Sequence, residues 1–162
     1  QARYMRVPAD DDFGTSQSFS VSYDDDNIYW SVAADVDMRK NDQAAARTVV
    51  YDSVRTVTRF QVEKWRVGIL LQTSRRGDIA GSDWEPGFVA SLGRSFAAFD
   101  ISAQYGQSDI LVPGGRQTLL GISHHVARHL RLYAIASVYD SDSGNSEALS
   151  LGAEYKFSAS LR

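Results

Sequence analysis

The chain has 162 residues, a formal net charge of −3 and a pI near 5.5, so no basic field exists to attract nucleic acid. It has no cysteine, which removes disulfides and thiolate metal sites. No apolar run approaches the roughly 18–20 residues of a transmembrane helix; the greasiest stretch, Val67–Leu71, is only VGILL. Charges of both signs are interspersed, and the length suits a single domain over residues 1–162. The mean hydropathy of −0.30 fits a soluble protein, but it fits equally a barrel whose strands show lipid only every second side chain. The chain opens at Gln1-Ala2-Arg3 in strand-like sequence, so a mature, trimmed or partial chain is expected.

Period-two alternation predicts about ten strands. Arg3–Val7 is short. Gln17–Tyr23 sets Phe19, Val21 and Tyr23 against three serines. Ile28–Met38 is the cleanest, with Ile28, Trp30, Val32, Ala34, Val36 and Met38 opposing Tyr29, Ser31, Ala33, Asp35 and Asp37. In Val49–Val62 an apolar and Thr row faces Tyr51, Arg55, Arg59 and Gln61; Asp52 breaks that row near its outer end. Trp65–Thr73 places Trp65, Val67, Ile69 and Leu71 on one side, and Phe88–Leu92 is a short run. Ala97–Tyr105 opposes Phe99, Ile101 and Tyr105 to Asp100, Ser102 and Gln104. Gln117–Val126 and Leu130–Tyr139 alternate less cleanly. Glu147–Phe157 closes the series with Leu149, Leu151, Ala153, Tyr155 and Phe157 on one face. The segment NDQAAAR, residues 41–47, could form one helical turn in a loop.

The connections sort by length. Asp24–Asn27, Glu63-Lys64, Gly93–Ser95 and Ala127–His129 are tight. Between them lie Pro8–Ser16, Arg39–Thr48, Ser74–Gly87, Gln107–Arg116 and Asp140–Ser146, all longer and polar. Alternating short turns and long loops mark an antiparallel transmembrane β-barrel, with short turns on the periplasmic side. A soluble barrel or sandwich shares the alternation. Against it stand polar rows of Ser, Gly, Ala, Asp and Gln, and aromatics near strand ends (Phe19, Trp30, Trp65, Phe88, Tyr105, Tyr155 and Phe157) where interfacial girdles lie.

Several stretches resemble the general bacterial porins of Gram-negative outer membranes. YDSVRTVTRFQVEKWRVGILLQTS (Tyr51–Ser74) and GFVASLGRSFAAFDISAQYGQSD (Gly87–Asp109) are similar to porin hairpins. HHVARHLRLYAIASVYDSD (His124–Asp142) resembles the penultimate turn and strand, and LGAEYKF (Leu151–Phe157) the terminal strand. The chain departs from the pattern by continuing through Ser158–Arg162. The resemblance implies about the last ten strands of a sixteen-stranded barrel, without the inward-folded constriction loop. It further implies an outer-membrane location among lipid and lipopolysaccharide, homotrimers, and delivery by the barrel-assembly machinery through the C-terminal strand. The function implied is passive diffusion of small hydrophilic solutes, with no cofactor and no enzymatic step. A small closed barrel of eight to ten strands, serving as an anchor, adhesin or lipid-modifying enzyme, is the alternative.

In a barrel the polar rows face the lumen. Arg55, Arg59 and Arg66, with Asp35, Asp37, Asp100, Gln104, Glu154 and Lys156, are therefore the expected pore-lining residues. His124, His125 and His129 straddle a predicted turn, which suits an interfacial position better than a metal site, so no metal is expected. Ser123 and His124 point to opposite faces of their strand, which argues against a hydrolase pair. The acidic segments ADDD (residues 9–12) and DSDSGN (residues 140–145) lack the spacing of an EF-hand. Gly114-Gly115 after Pro113 is turn chemistry.

Overall fold

Every predicted ribbon becomes a strand: β1 Ala2–Val7, β2 Ser16–Asp24, β3 Ile28–Asp42, β4 Arg47–Val62, β5 Trp65–Arg76, β6 Glu85–Phe96, β7 Phe99–Ser108, β8 Gly115–Ala127, β9 Leu130–Ser141 and β10 Gly144–Tyr155. The computed structural model describes residues 1–7, 16–42, 47–110 and 113–157. The loop centred on residues 8–15, including the acidic ADDD segment, lies outside the described residues, as do residues 43–46 and the terminal residues 158–162. Each strand pairs antiparallel with its sequence neighbours, giving one ten-stranded sheet in the order β1 to β10. β1 and β10 are its two edges and do not pair with each other.

The strands run further than alternation alone predicts. A ladder needs only backbone N–H and C=O groups, so pairing continues where the side-chain pattern lapses. Gly93–Ser95, expected as a turn, is interior to β6, and the chain reverses at Ala97-Ala98. Gly93 hid the strand because it has no side chain to mark a face. Asp140–Ser146, expected as a long loop, shortens to a turn at residues 142–143, because Asp140 and Ser141 pair with Asn145 and Gly144. The strict alternation of long and short connections therefore fails at the β9–β10 hairpin. Asn41, Asp42 and Arg47 belong to strands and not to a helical turn. The short turns at residues 25–27, 63–64, 97–98 and 128–129 share one end of the sheet with both termini: Ser22 N–H donates to Gln1 O at 2.7 Å and Lys156 N–H to His129 O at 2.9 Å.

The burial pattern is inverted relative to a water-soluble domain. Among the described residues, those fully buried are Ser16, Ser53, Ser74, Gly93 and Gly115, and these residues hold no apolar core. The large apolar side chains stand outward instead, with Ile69 43%, Leu149 72% and Leu151 77% exposed. Paired residues share a face, so the register carries this band across the sheet. One row reads Thr56, Leu71, Phe88, Gln107 and another Trp65, Arg94, Ile101, Ile122, Ala134, Leu151. Soluble monomers rarely expose a contiguous apolar patch beyond a few hundred Å2, so this face requires an apolar surrounding.

The opposite face is concave. One cavity of about 1080 Å3 is bounded by residues from Val57 in β4 to Glu154 in β10, which a flat sheet could not enclose. Small residues on this face let long side chains lie along the wall. A Cβ at Gly152 would sit 2.4 Å from the Tyr133 ring, and the Arg66 guanidinium passes 3.6–3.8 Å from the same position on Gly93. At the short-turn end, the Asp25 carboxylate accepts from the N–H of Asn27 at 2.9 Å and Ile28 at 2.8 Å, and from the Tyr23 hydroxyl at 2.8 Å. These bonds, the Asn27 one foremost, hold Asp25 below the ordinary carboxylate range.

Candidate functional site: the concave wall

The polar rows of the sequence converge on the concave face because successive side chains on a strand alternate and paired strands keep phase. Arg59 pairs with Gly68, Arg66 with Gly93, and Gln104 with Ser91, all on one side. Arg59, Arg66, Asp100, Gln104 and Glu154 all line the same cavity. Arg55 and Asp35 sit higher on this face, joined at 3.0 Å. Lys156 lies past the end of β10, 3.6 Å from Glu154.

Asp37 is the exception among the expected lumen residues. Asp35 pairs with Ser53 and Met38 with Tyr51, so Val36 and Asp37 together oppose Asp52. This β-bulge, with Asp37 at φ 54°, moves Asp37 out of the concave row. Its N–H donates to Asp52 Oδ1 at 3.1 Å, on the side where Asp52 meets Arg75 at 2.9 Å. The sequence concealed the shift, since a bulge inserts one residue without altering local composition.

Acidic and basic groups on the wall form short-range sets. Asp35 accepts from Ser18 Oγ at 2.6 Å and Ser53 Oγ at 3.4 Å as well as from Arg55. Asp100 accepts from Ser95 Oγ at 2.5 Å, lies 2.7 Å from His125 Nε2 and 3.5 Å from the Arg66 guanidinium. Arg131 pairs with Glu154, and Arg59 reaches Asp24 at 3.6 Å. The exposures within pairs are unequal: Arg55 is 45% exposed over an Asp35 at 16%, and Arg66 47% over an Asp100 at 22%. Asp35 and Asp100 lie recessed among serine hydroxyls and are less exposed than their arginines, whereas Asp24 at 65% stands out further than Arg59 at 55%. Around Arg55 and Arg66 the wall therefore presents more arginine than carboxylate to water.

Arg131 and Ser95 belong to this wall and were not singled out from sequence; His125, expected at an interfacial turn, belongs to it too, through Asp100. A second bulge, between His125 and Ala127, shifts the phase of β8 just before the turn, and apolar Leu119, Tyr133 and Ile135 in the concave rows blur the alternation of β8 and β9. The signal that could have found Arg131 is its register opposite Glu154, visible only once β9 and β10 are aligned. Ser123 and His124 do fall on opposite faces: Ser123 pairs with Asp100, and His124 pairs with and stacks on Phe99, ring centres 4.3 Å apart. The aromatic residues Phe19, Trp30, Trp65, Phe88, Tyr105, Tyr155 and Phe157 are all exposed, those on strands in outward rows. Trp30, Trp65, Tyr155 and Phe157 mark the short-turn end, where His129 meets the Tyr155 ring edge-on at 4.9 Å.

A meander with its charges inside a concave wall and its apolar rows outside has a solved counterpart. The anion-selective porin from Comamonas acidovorans superposes with a TM-score of 0.65 over 88% of this chain at 16% sequence identity. The fold is porin-like. This chain spans 45% of that porin's length, so the ten strands correspond to part of a porin-like β-barrel and the sheet is open here. No family model matches the sequence, and no curated protein matches it.

Proposed function

We propose that this chain forms part of the wall of an outer-membrane channel through which small hydrophilic solutes and ions diffuse passively, with anions favoured. The observation that carries the reading is the inverted burial: a charged, water-accessible concave face on a sheet whose other face carries most of the large apolar side chains and which has no apolar core among its described residues. Such a sheet suits lipid on one side and water on the other. The anion preference rests on the recessed carboxylates beneath Arg55 and Arg66, because ions in a pore sense most strongly the charges nearest them. The neighbouring porin's anion selectivity is consistent with this assignment.

The same reading carries homotrimeric assembly, contact with outer-membrane lipid and lipopolysaccharide, insertion by the barrel-assembly machinery through the terminal strand, and a transport role without catalysis. A ten-stranded barrel closed on itself, as an anchor or lipid-modifying enzyme would require, lacks the pairing of β1 with β10. The test is planar-bilayer conductance of the intact protein. Stepwise openings and a reversal potential displaced toward chloride in a KCl gradient are expected, and the Arg55→Glu/Arg66→Glu double variant should move that potential toward potassium. Absence of any conductance from membrane-inserted protein overturns the channel reading; an unmoved reversal potential overturns the role of the arginines.

A further inference from the structure

One cation of the outward face has no acidic residue in register with it. Arg94 pairs with Trp65 on one side and Ile101 on the other, which places it in an outward row otherwise composed of apolar side chains. Its guanidinium carbon lies 4.6 Å from the centre of the Trp65 ring and 4.8 Å from that of Phe96. None of the ion pairs among the described residues includes it. Two other arginines of this face, Arg75 and Arg116, each have an acidic residue in register. Asp52 pairs with Arg75 at 2.9 Å, and Arg116 stands in register opposite Asp140, both at the long-loop end. Near Arg94 the adjoining turns offer no net negative charge: Glu63 and Lys64 offset each other, and Ala97-Ala98 carries none.

A guanidinium is planar and weakly hydrated, so aromatic rings can take its faces while its N–H groups stay free at the edge. Those donors fit two oxygens of one phosphate. A cation left without a counter-charge at the boundary of hydrocarbon is costly; a phosphate placed there removes the cost. We propose that Arg94, held between Trp65 and Phe96, binds the phosphate of a phospholipid headgroup in the leaflet at the short-turn end. This site rests on the membrane reading above but concerns the convex face and not the pore.

The direct test uses the intact protein in nanodiscs of phosphatidylglycerol and phosphatidylethanolamine, with carbon-13 in the arginine guanidinium groups. Magic-angle-spinning NMR should show one outward arginine Cζ dephased by phosphorus-31, and Arg94→Lys should abolish that signal. The same protein in maltoside micelles containing inorganic phosphate should show no such contact; dephasing there would mean an adventitious ion only and overturn the lipid assignment. Native mass spectrometry supplies a second measurement. Phospholipid retained on the protein should fall about fivefold in Arg94→Gln, the scale of one basic residue at an anionic surface, and be unchanged in Arg59→Gln. Inserted protein with no phosphorus contact, or with retention unaffected by Arg94→Gln, overturns this proposal alone. Protein that stays in water and does not float with lipid overturns the membrane reading itself.

Discussion

The two faces of the sheet share one backbone and one register, yet they are built on opposite physical rules. On the concave face Asp35, Asp100 and Glu154 are each satisfied by arginine, and the first two by serine as well. On the convex face the residues at the same heights are Ile69, Leu92, Ile101 and Ile122, exposed and without polar partners. Charge sits where water can screen it, and hydrocarbon sits where nothing in the protein covers it. Neither face is a core in the ordinary sense. The stability common to both lies in the hydrogen-bonded ladders between them, supplemented on one side by ion pairs and on the other by the surrounding medium.

Inverting one position should separate the faces most sharply. Ile69→Arg places a cation in the middle of the convex band and is expected to cost about 2–4 kcal/mol in a lipid environment. Gln104→Arg, on the concave wall, should change stability by less than about 0.5 kcal/mol. Equilibrium unfolding in guanidinium from lipid vesicles measures both; equal costs would break the comparison and point to water on both sides. Packing on the concave face is tested next. Gly152→Leu forces the Tyr133 ring off the wall, since even a Cβ would approach it to 2.4 Å, and about 1–3 kcal/mol of destabilisation is expected. In the Gly152→Leu/Tyr133→Ala double variant the loss should be smaller than the sum of the two single changes, because the clash has been removed.

The smallest effect is expected at the short-turn end, where the faces meet. Asp25 has its pKa lowered by its bonds to Asn27, Ile28 and Tyr23. A carboxylate depressed in the folded state contributes stability above its unfolded pKa, near 3.9, and loses it as pH falls through the lower folded value. The acid-induced fall in melting temperature below about pH 4 is therefore expected to be slightly smaller in Asp25→Asn than in the parent chain, the other ion-paired carboxylates being common to both. Parallel acid profiles for the two proteins would remove Asp25 from the account.

Alternation in residues 28–35 and 147–155 was enough to assign strands and faces, because period two is a local property and needs no knowledge of the neighbour. The arginine wall of Arg55, Arg59 and Arg66 was legible for the same reason. What tertiary structure decided were the phases between strands. The bulge at Val36-Asp37 turned one aspartate away from the concave row, and only the alignment of β7 to β10 set His125 beside Asp100 and Arg131 opposite Glu154. Backbone pairing extended β6 past Gly93 and brought Arg94 out of a supposed turn onto the convex face. The recession of Asp35 and Asp100 beneath their arginines likewise has no local signature, since it depends on serines from β2, β4 and β6. One chain's alternation determines that a ribbon has two faces; only hydrogen bonding to its neighbours determines which side chains meet on each, because register is a relation between strands and not a property of either.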